Sequence, residues 1–97
     1  MKIDPSETLL TGNWLFDAGQ IKGDMPCERI HALIMSHLIL LARDSSGWDS
    51  LYVDPADKRL WELTYPQSEL HGSGPPQLRA LTTTEARKKY DVDTSQL

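Results

Sequence analysis

Residues 25–43 read MPCERIHALIMSHLILLAR. Ile30, Leu33, Ile34, His37, Leu38 and Leu41 recur at helical spacing and form one apolar stripe. Cys27, Met35, Ile39 and Leu40 widen that stripe. Asp24 is placed to cap the start, and Pro26 suits a first turn, where its missing N–H costs nothing. Glu28 near the start and Arg43 near the end both suit the helix dipole. Asp44-Ser45-Ser46-Gly47 stops the pattern, so the spacing predicts one long helix from Met25 to Arg43.

Outward from this helix the pattern changes to strands. Asn13 to Asp17 alternates Trp14 and Phe16 with Leu15, as a short strand does. Ala18-Gly19 and Gly23-Asp24 bracket a turn or a second short strand, and residues 1–11 read as a loose arm. After the helix, Trp48 to Val53 and Arg59 to Tyr65 read as a hairpin joined by Asp54-Pro55-Ala56-Asp57-Lys58. A five-residue loop pairs Val53 with Arg59 and Leu51 with Trp61. Opposed residues share a face, so Leu51, Val53, Trp61, Leu63 and Tyr65 become the core face. Trp48, Ser50, Tyr52, Leu60, Glu62 and Thr64 take the other, and a one-residue slip would exchange one strand's faces.

Residues 66–76 read as a loop, Gln77 to Leu81 as a last strand, and Thr82-x-x-Glu85 as a capping box for a helix ending near Tyr90. The tail from Asp91 to Leu97 is expected to fray. The expected order is β-α-β-β-β-α: an α+β fold, with a small, mostly antiparallel sheet packed on one long helix.

A chain of 97 residues suits a single domain with one modest core. The only cysteine is Cys27, which excludes an internal disulfide framework and favours a reducing compartment. No secretory signal is read at the start, and the longest apolar run, Leu38 to Ala42, is too short to span a bilayer. A cytoplasmic location is the expectation. The net charge of −4 argues against nucleic acid as a partner, because phosphate contacts need clustered Lys and Arg. The acidity is concentrated in residues 1–57, which suits either a basic partner or a solvated surface.

Candidate chemistry is sparse. Cys27 and His31 stand at a ligand spacing, but no further pair completes a metal site. His37 lies within the apolar stripe and reads as a satisfied or edge histidine. Glu62, Glu69 and His71 could form an acid/base set only if the fold brought them within hydrogen-bond reach. A structural tie of the long loop is the plainer role for Glu69 or His71. Gly72-Ser73-Gly74 lacks the Lys-Ser/Thr and the helix of a phosphate-cradling loop. Six of the seven aromatics fall in strand-like segments, which favours core roles. Trp48 and Tyr52, on the face away from the helix, suit a protein-binding surface beside neighbouring acids.

Several segments together resemble a known family. They are Leu10-Thr11-Gly12-Asn13-Trp14, Cys27-Glu28-Arg29-Ile30 and Ser46-Gly47-Trp48-Asp49. The stretch from Trp61 through Tyr65, Pro66, Glu69 and His71 to Gly72, followed by Gly74-Pro75-Pro76, is the longest of them. The chain, from about Leu10 to Tyr90, resembles the immunity protein 27 family of bacterial polymorphic toxin systems. The resemblance implies an α+β protein that binds and neutralises a toxin domain encoded beside it, with no enzyme activity and no cofactor. The shared motifs do not mark the interface.

The expected function is therefore inhibition of a nuclease-like toxin domain by occlusion of its active site or substrate cleft. The candidate contact set is Trp48, Tyr52, Asp54, Asp57, Glu62, Glu69 and His71. No nucleic acid, membrane or metal is expected, and homodimerisation stays open. An adaptor unrelated to toxins is the competing class. A small enzyme using Glu62, Glu69 and His71 is the third.

Overall fold

The computed structural model describes residues 3–17, 19–66 and 75–90. Its elements are β1 (Leu9–Thr11), β2 (Trp14–Asp17), β3 (Gln20–Gly23), α1 (Met25–Ser36), β4 (Ile39–Arg43), β5 (Ser50–Val53), β6 (Leu60–Thr64), β7 (Gln77–Leu81) and α2 (Thr83–Tyr90). Five strands form an antiparallel sheet in the order β1-β7-β6-β5-β4, and β2 and β3 form a separate two-stranded ribbon. The fold is α+β, as expected, but the element order differs. Within the stretch expected as a loose arm, Leu9–Thr11 forms the edge strand β1, and Ile3 is buried. The tail from Asp91 lies outside the described residues.

The long helix expected from Met25 to Arg43 is instead a helix and a strand. Its start is as expected: Asp24 Oδ1 accepts the Cys27 N–H at 3.0 Å, and Pro26 sits in the first turn. Its end comes at Ser36. His37 leaves helical geometry at φ −122° and ψ −50°, and the N–H groups of His37 and Leu38 both donate to the Leu33 carbonyl. The reason lies in the run Leu38 to Ala42. Continued as helix, it would leave no polar side for water. As strand β4 it can distribute side chains to both faces of a sheet.

The sheet has a helix on each face. Ile30 and Leu33 of α1 pack on Leu10, Tyr52, Trp61, Leu63 and Leu78. Ala86 and Tyr90 of α2 pack on Leu51, Val53, Leu60 and Leu81 on the opposite face. Both faces must therefore be apolar, which the single-helix expectation missed. The hairpin register corrects accordingly. Val53 pairs with Leu60 and Tyr52 with Trp61, one residue from the expected pairing. Tyr52 thus joins Trp61 and Leu63, while Leu51 and Val53 join Leu60 and Glu62.

The loop supplies the extra residue. Asp54 N–H donates to the Arg59 carbonyl at 2.9 Å, and the Asp54 carbonyl accepts the Lys58 N–H at 2.8 Å. Lys58 takes φ +65°, in the left-handed region that costs a side chain about 1–2 kcal/mol. The closed loop absorbs that strain.

The last part of the fold matches expectation closely. β7 spans Gln77–Leu81, and α2 opens on a capping box. Thr82 N–H donates to Glu85 Oε1 at 3.0 Å, and Glu85 N–H donates to Thr82 Oγ1 at 3.1 Å. That box holds the helix that seals the second face.

Gly12 is fixed by close approach. Its N–H donates to the Pro76 carbonyl at 2.9 Å, and a Cβ there would run into Cys27 Sγ. The contact joins β1 to the start of α1.

Candidate functional site

Trp48 is presented on a rigid turn between β4 and β5. Asp44 Oδ1 accepts the Ser46 hydroxyl at 2.7 Å, the Gly47 N–H at 3.0 Å and the Asp49 N–H at 3.3 Å. The Ser46 hydroxyl bond, helped by these backbone donors against some burial, holds the Asp44 carboxyl below its ordinary range. Gly47 at φ +78° permits the turn, and Trp48 N–H donates to Ser46 Oγ at 3.1 Å. The result is an indole 57% exposed on an otherwise fixed backbone. Tyr65 supports it edge-on, with ring centroids 6.3 Å apart at 74°.

Beneath Trp48 lies a cleft of about 320 Å³ lined by Ile34, Arg43, Gly47, Trp48, Ser50, Tyr52, Leu63 and Tyr65. Burial, and then the neighbouring Tyr52, push the Tyr65 hydroxyl pKa up, with Arg43 opposing. Arg43 Nη1 donates to Ser50 Oγ at 3.3 Å. Trp, Tyr and Arg are the side chains over-represented at the energetic centres of protein interfaces. Arranged around one small cleft, they can anchor a protein segment through apolar contact and a charge-assisted bond.

The expected contact residues do not form one surface. Trp48 and Tyr52 meet at this cleft, although Tyr52 is a buried wall of the core rather than an exposed residue. Asp54 and Asp57 lie on the β5–β6 loop, at the other end of the hairpin. Asp54 is 1% exposed and accepts from Ala56 N–H at 2.8 Å, and its Oδ1 lies 2.9 Å from His37 Nε2. This pair satisfies His37 and fixes the end of α1 against the loop. Asp57 is exposed but is held by Arg59 Nε at 2.8 Å. Glu69 and His71 lie outside the described residues.

Glu62 is interior on the opposite face. Both its oxygens are occupied: Arg79 Nη2 reaches Oε1 at 3.3 Å, and Lys89 Nζ and the Tyr90 hydroxyl reach Oε2 at 2.6 and 2.8 Å. Burial alone would raise its pKa, but Lys89, Tyr90 and Arg79 outweigh burial and hold the carboxyl below its ordinary range. Burial and the adjacent Glu62 push the Tyr90 hydroxyl strongly up. This is a closed ion network that ties α2 to the sheet. Asp54 and Glu62, both placed on a docking surface by the sequence reading, are each buried and held by internal donors.

Cys27 is buried, with Sγ 3.4 Å from the Asn13 carbonyl, and burial raises its pKa. His31 of the same helix is exposed. Among the described residues no three His, Cys, Asp or Glu side chains are grouped to hold a metal. Among them, too, no helix is long and apolar enough to cross a membrane.

Two other surfaces are apolar. The edge strand β4 exposes Ile39 and Leu40 beside Met35. A groove of about 740 Å³ runs between β1 and α1, lined by Leu9, Leu10, Thr11, Met25, Pro26 and Ala32, with Glu28 and Arg29.

Residues 16–82 match the family model described as immunity protein 27. The chain belongs to the immunity protein 27 family. The match covers α1, β4 to β7 and every residue lining the Trp48 cleft; it leaves out β1 and all of α2. No curated protein and no solved structure matches the chain. Membership of an immunity family supports toxin neutralisation as the general role. Of the cleft residues, sequence reading missed Ile34, Arg43 and Tyr65 as site residues. Arg43 read as a helix end, and only the break at Ser36 brings it beside Trp48.

Proposed function

We propose that the protein binds a cognate toxin domain in a stoichiometric complex and neutralises it by covering its active site or substrate cleft, with no catalysis of its own. The observation that carries this reading, beyond family membership, is the exposed Trp48 held over the Arg43–Tyr65 cleft. Trp, Tyr and Arg gathered at one cleft are the residue types that dominate the energetic centres of protein interfaces, so a partner is the natural use of this exposed indole. The toxin is nuclease-like in this reading, encoded by an adjacent gene and met in the cytoplasm. The net charge of −4 supports attraction to the basic substrate cleft of such a domain.

The test is co-expression with the toxic domain of the neighbouring gene. Survival, with a 1:1 complex on size exclusion, is the expected result. Survival without a complex would overturn stoichiometric binding and favour an enzymatic route. Death of the cells despite folded protein would overturn the pairing itself and favour the adaptor reading.

A further inference from the structure

We infer that the Trp48 cleft is a receptor for a carboxylate carried on an apolar segment of the toxin, with Arg43 as its anchor. This rests on the toxin-binding reading and specifies what the cleft takes.

Arg29, Arg59 and Arg79 each hold a carboxylate, from Glu7, Asp57 and Glu62 respectively, and Arg87, which has no such partner among the described residues, stands on α2, away from the cleft. Arg43 instead contacts a neutral hydroxyl, Ser50 Oγ, and among the described residues no carboxylate lies within ion-pair distance of it. Ser50 is buried, so this contact orients the guanidinium without neutralising it. The planar fork keeps donors free for a two-point bond to an incoming carboxylate.

The surroundings of Arg43 favour the same ligand. Trp48, Tyr52 and Tyr65 wall the cleft with aromatic surface, which displaces water once a segment enters. A charge-assisted bond closed off in this way is stronger than one in open solvent. At about 320 Å³ the cleft stands at the small end of ligand sites and admits a side chain or a chain end, not a helix. The apolar approach is also built in. Leu40 pairs with Tyr52 across β4 and β5 and is 44% exposed, so an apolar neighbour of the carboxylate has a place to pack.

The sign of this site opposes the chain's net charge of −4. Overall acidity steers a basic partner from a distance, whereas a single cation at the cleft selects what docks. The carboxylate could be an Asp or Glu side chain or the C-terminus of the toxin; the chemistry is shared.

The experiment is calorimetric titration of the toxin domain with the wild-type protein, Arg43→Lys and Arg43→Gln. Arg43→Gln should weaken binding at least 30-fold, and Arg43→Lys, which keeps the charge but loses the fork, about 10-fold. Arg43 is exposed, so thermal midpoints of the free variants should match wild type. A double-mutant cycle against toxin Asp→Asn and Glu→Gln variants, and against a C-terminally extended toxin, should find one change that abolishes the effect of Arg43→Gln. A single coupled Asp or Glu identifies a side chain; coupling to the extension identifies the chain end. Wild-type affinity in Arg43→Gln overturns the inference and leaves the toxin-binding reading intact. Loss of affinity coupled to no carboxylate also overturns it. Failure of the wild-type protein to bind overturns both.

Discussion

Trp61→Ala should lower the unfolding free energy by about 3–5 kcal/mol, the range for truncating a buried large aromatic. Trp61 is fully buried on β6, the central strand of the sheet, between Tyr52 of β5 and Ala80 of β7. Its ring also carries the Arg59 guanidinium at 4.9 Å, and Arg59 in turn donates to the carbonyls of Glu7 at 2.6 Å and Asp4 at 3.0 Å. Removing the indole therefore opens a cavity in the α1-side core and undermines the clamp on the N-terminal segment. A domain of this size has only about 5–15 kcal/mol in total, so the loss is a large share. Trp61→Phe makes the control. The indole Nε1 is buried without a hydrogen-bond partner, so the phenyl ring removes an unsatisfied donor as well as some volume. Its cost should be well below that of Trp61→Ala. Urea unfolding of the three proteins measures both. Equal losses for Ala and Phe would mean that the indole N–H is satisfied and matters.

Glu62→Leu should cost about 3 kcal/mol, the lower end for breaking a buried charge network by removing one partner. The lower end applies because Lys89 keeps Asp49 at 2.8 Å and Arg79 keeps Glu85 at 3.5 Å. What is lost is the acceptor for the buried Tyr90 hydroxyl and the tie from α2 to the sheet. Depressed carboxylates set an acid limb. The bond from Arg29 lowers the Glu7 pKa to about 2, and Glu62 is also held below its ordinary value. A carboxylate depressed in the folded state stabilises the fold above its unfolded pKa, and that stability is lost as pH falls through the folded pKa. Wild-type stability should thus be at its plateau above about pH 4.5 and decline toward pH 2. In Glu62→Leu the decline should be shallower, leaving the component from Glu7 and the other depressed carboxylates. A stability profile of Glu62→Leu parallel to wild type would place Glu62 outside the acid limb.

The two helix ends show what was legible. Thr82 and Glu85 announce α2 because a capping box is local chemistry, complete within four residues. The end of α1 is not local. Leu38 to Ala42 fits a helix stripe as well as an edge strand, and the choice is made by Tyr52 and Val53, which offer β4 a strand to pair with. The hairpin register turned on one residue, Lys58, whose positive φ no pattern of apolar residues announces. From that slip followed the misplacement of Tyr52; Asp54 and Glu62 were misread for a different reason, their burial. Acids between strands read as surface when one helix is expected; with a helix on each face they become interior ties. A charge reversal at Asp54 would therefore report on folding, not on association. Trp48 was legible as exposed, but on the wrong face: it was expected away from the helix, and it stands over a cleft on the α1 side. Its partner Arg43 was not legible, because its position depended on the unread break in the helix.

The central claim is that Trp48 is the anchor of a toxin interface and not a part of the core. The most direct measurement is the dissociation constant of the complex with the neighbouring gene's toxin domain, for wild type and Trp48→Ala, with the thermal midpoint of each free protein recorded beside it. The account predicts a 1:1 complex for wild type, affinity at least 30-fold weaker for Trp48→Ala, and thermal midpoints within a few degrees of each other. Equal affinities for the two proteins, or a variant that fails to fold, would contradict it.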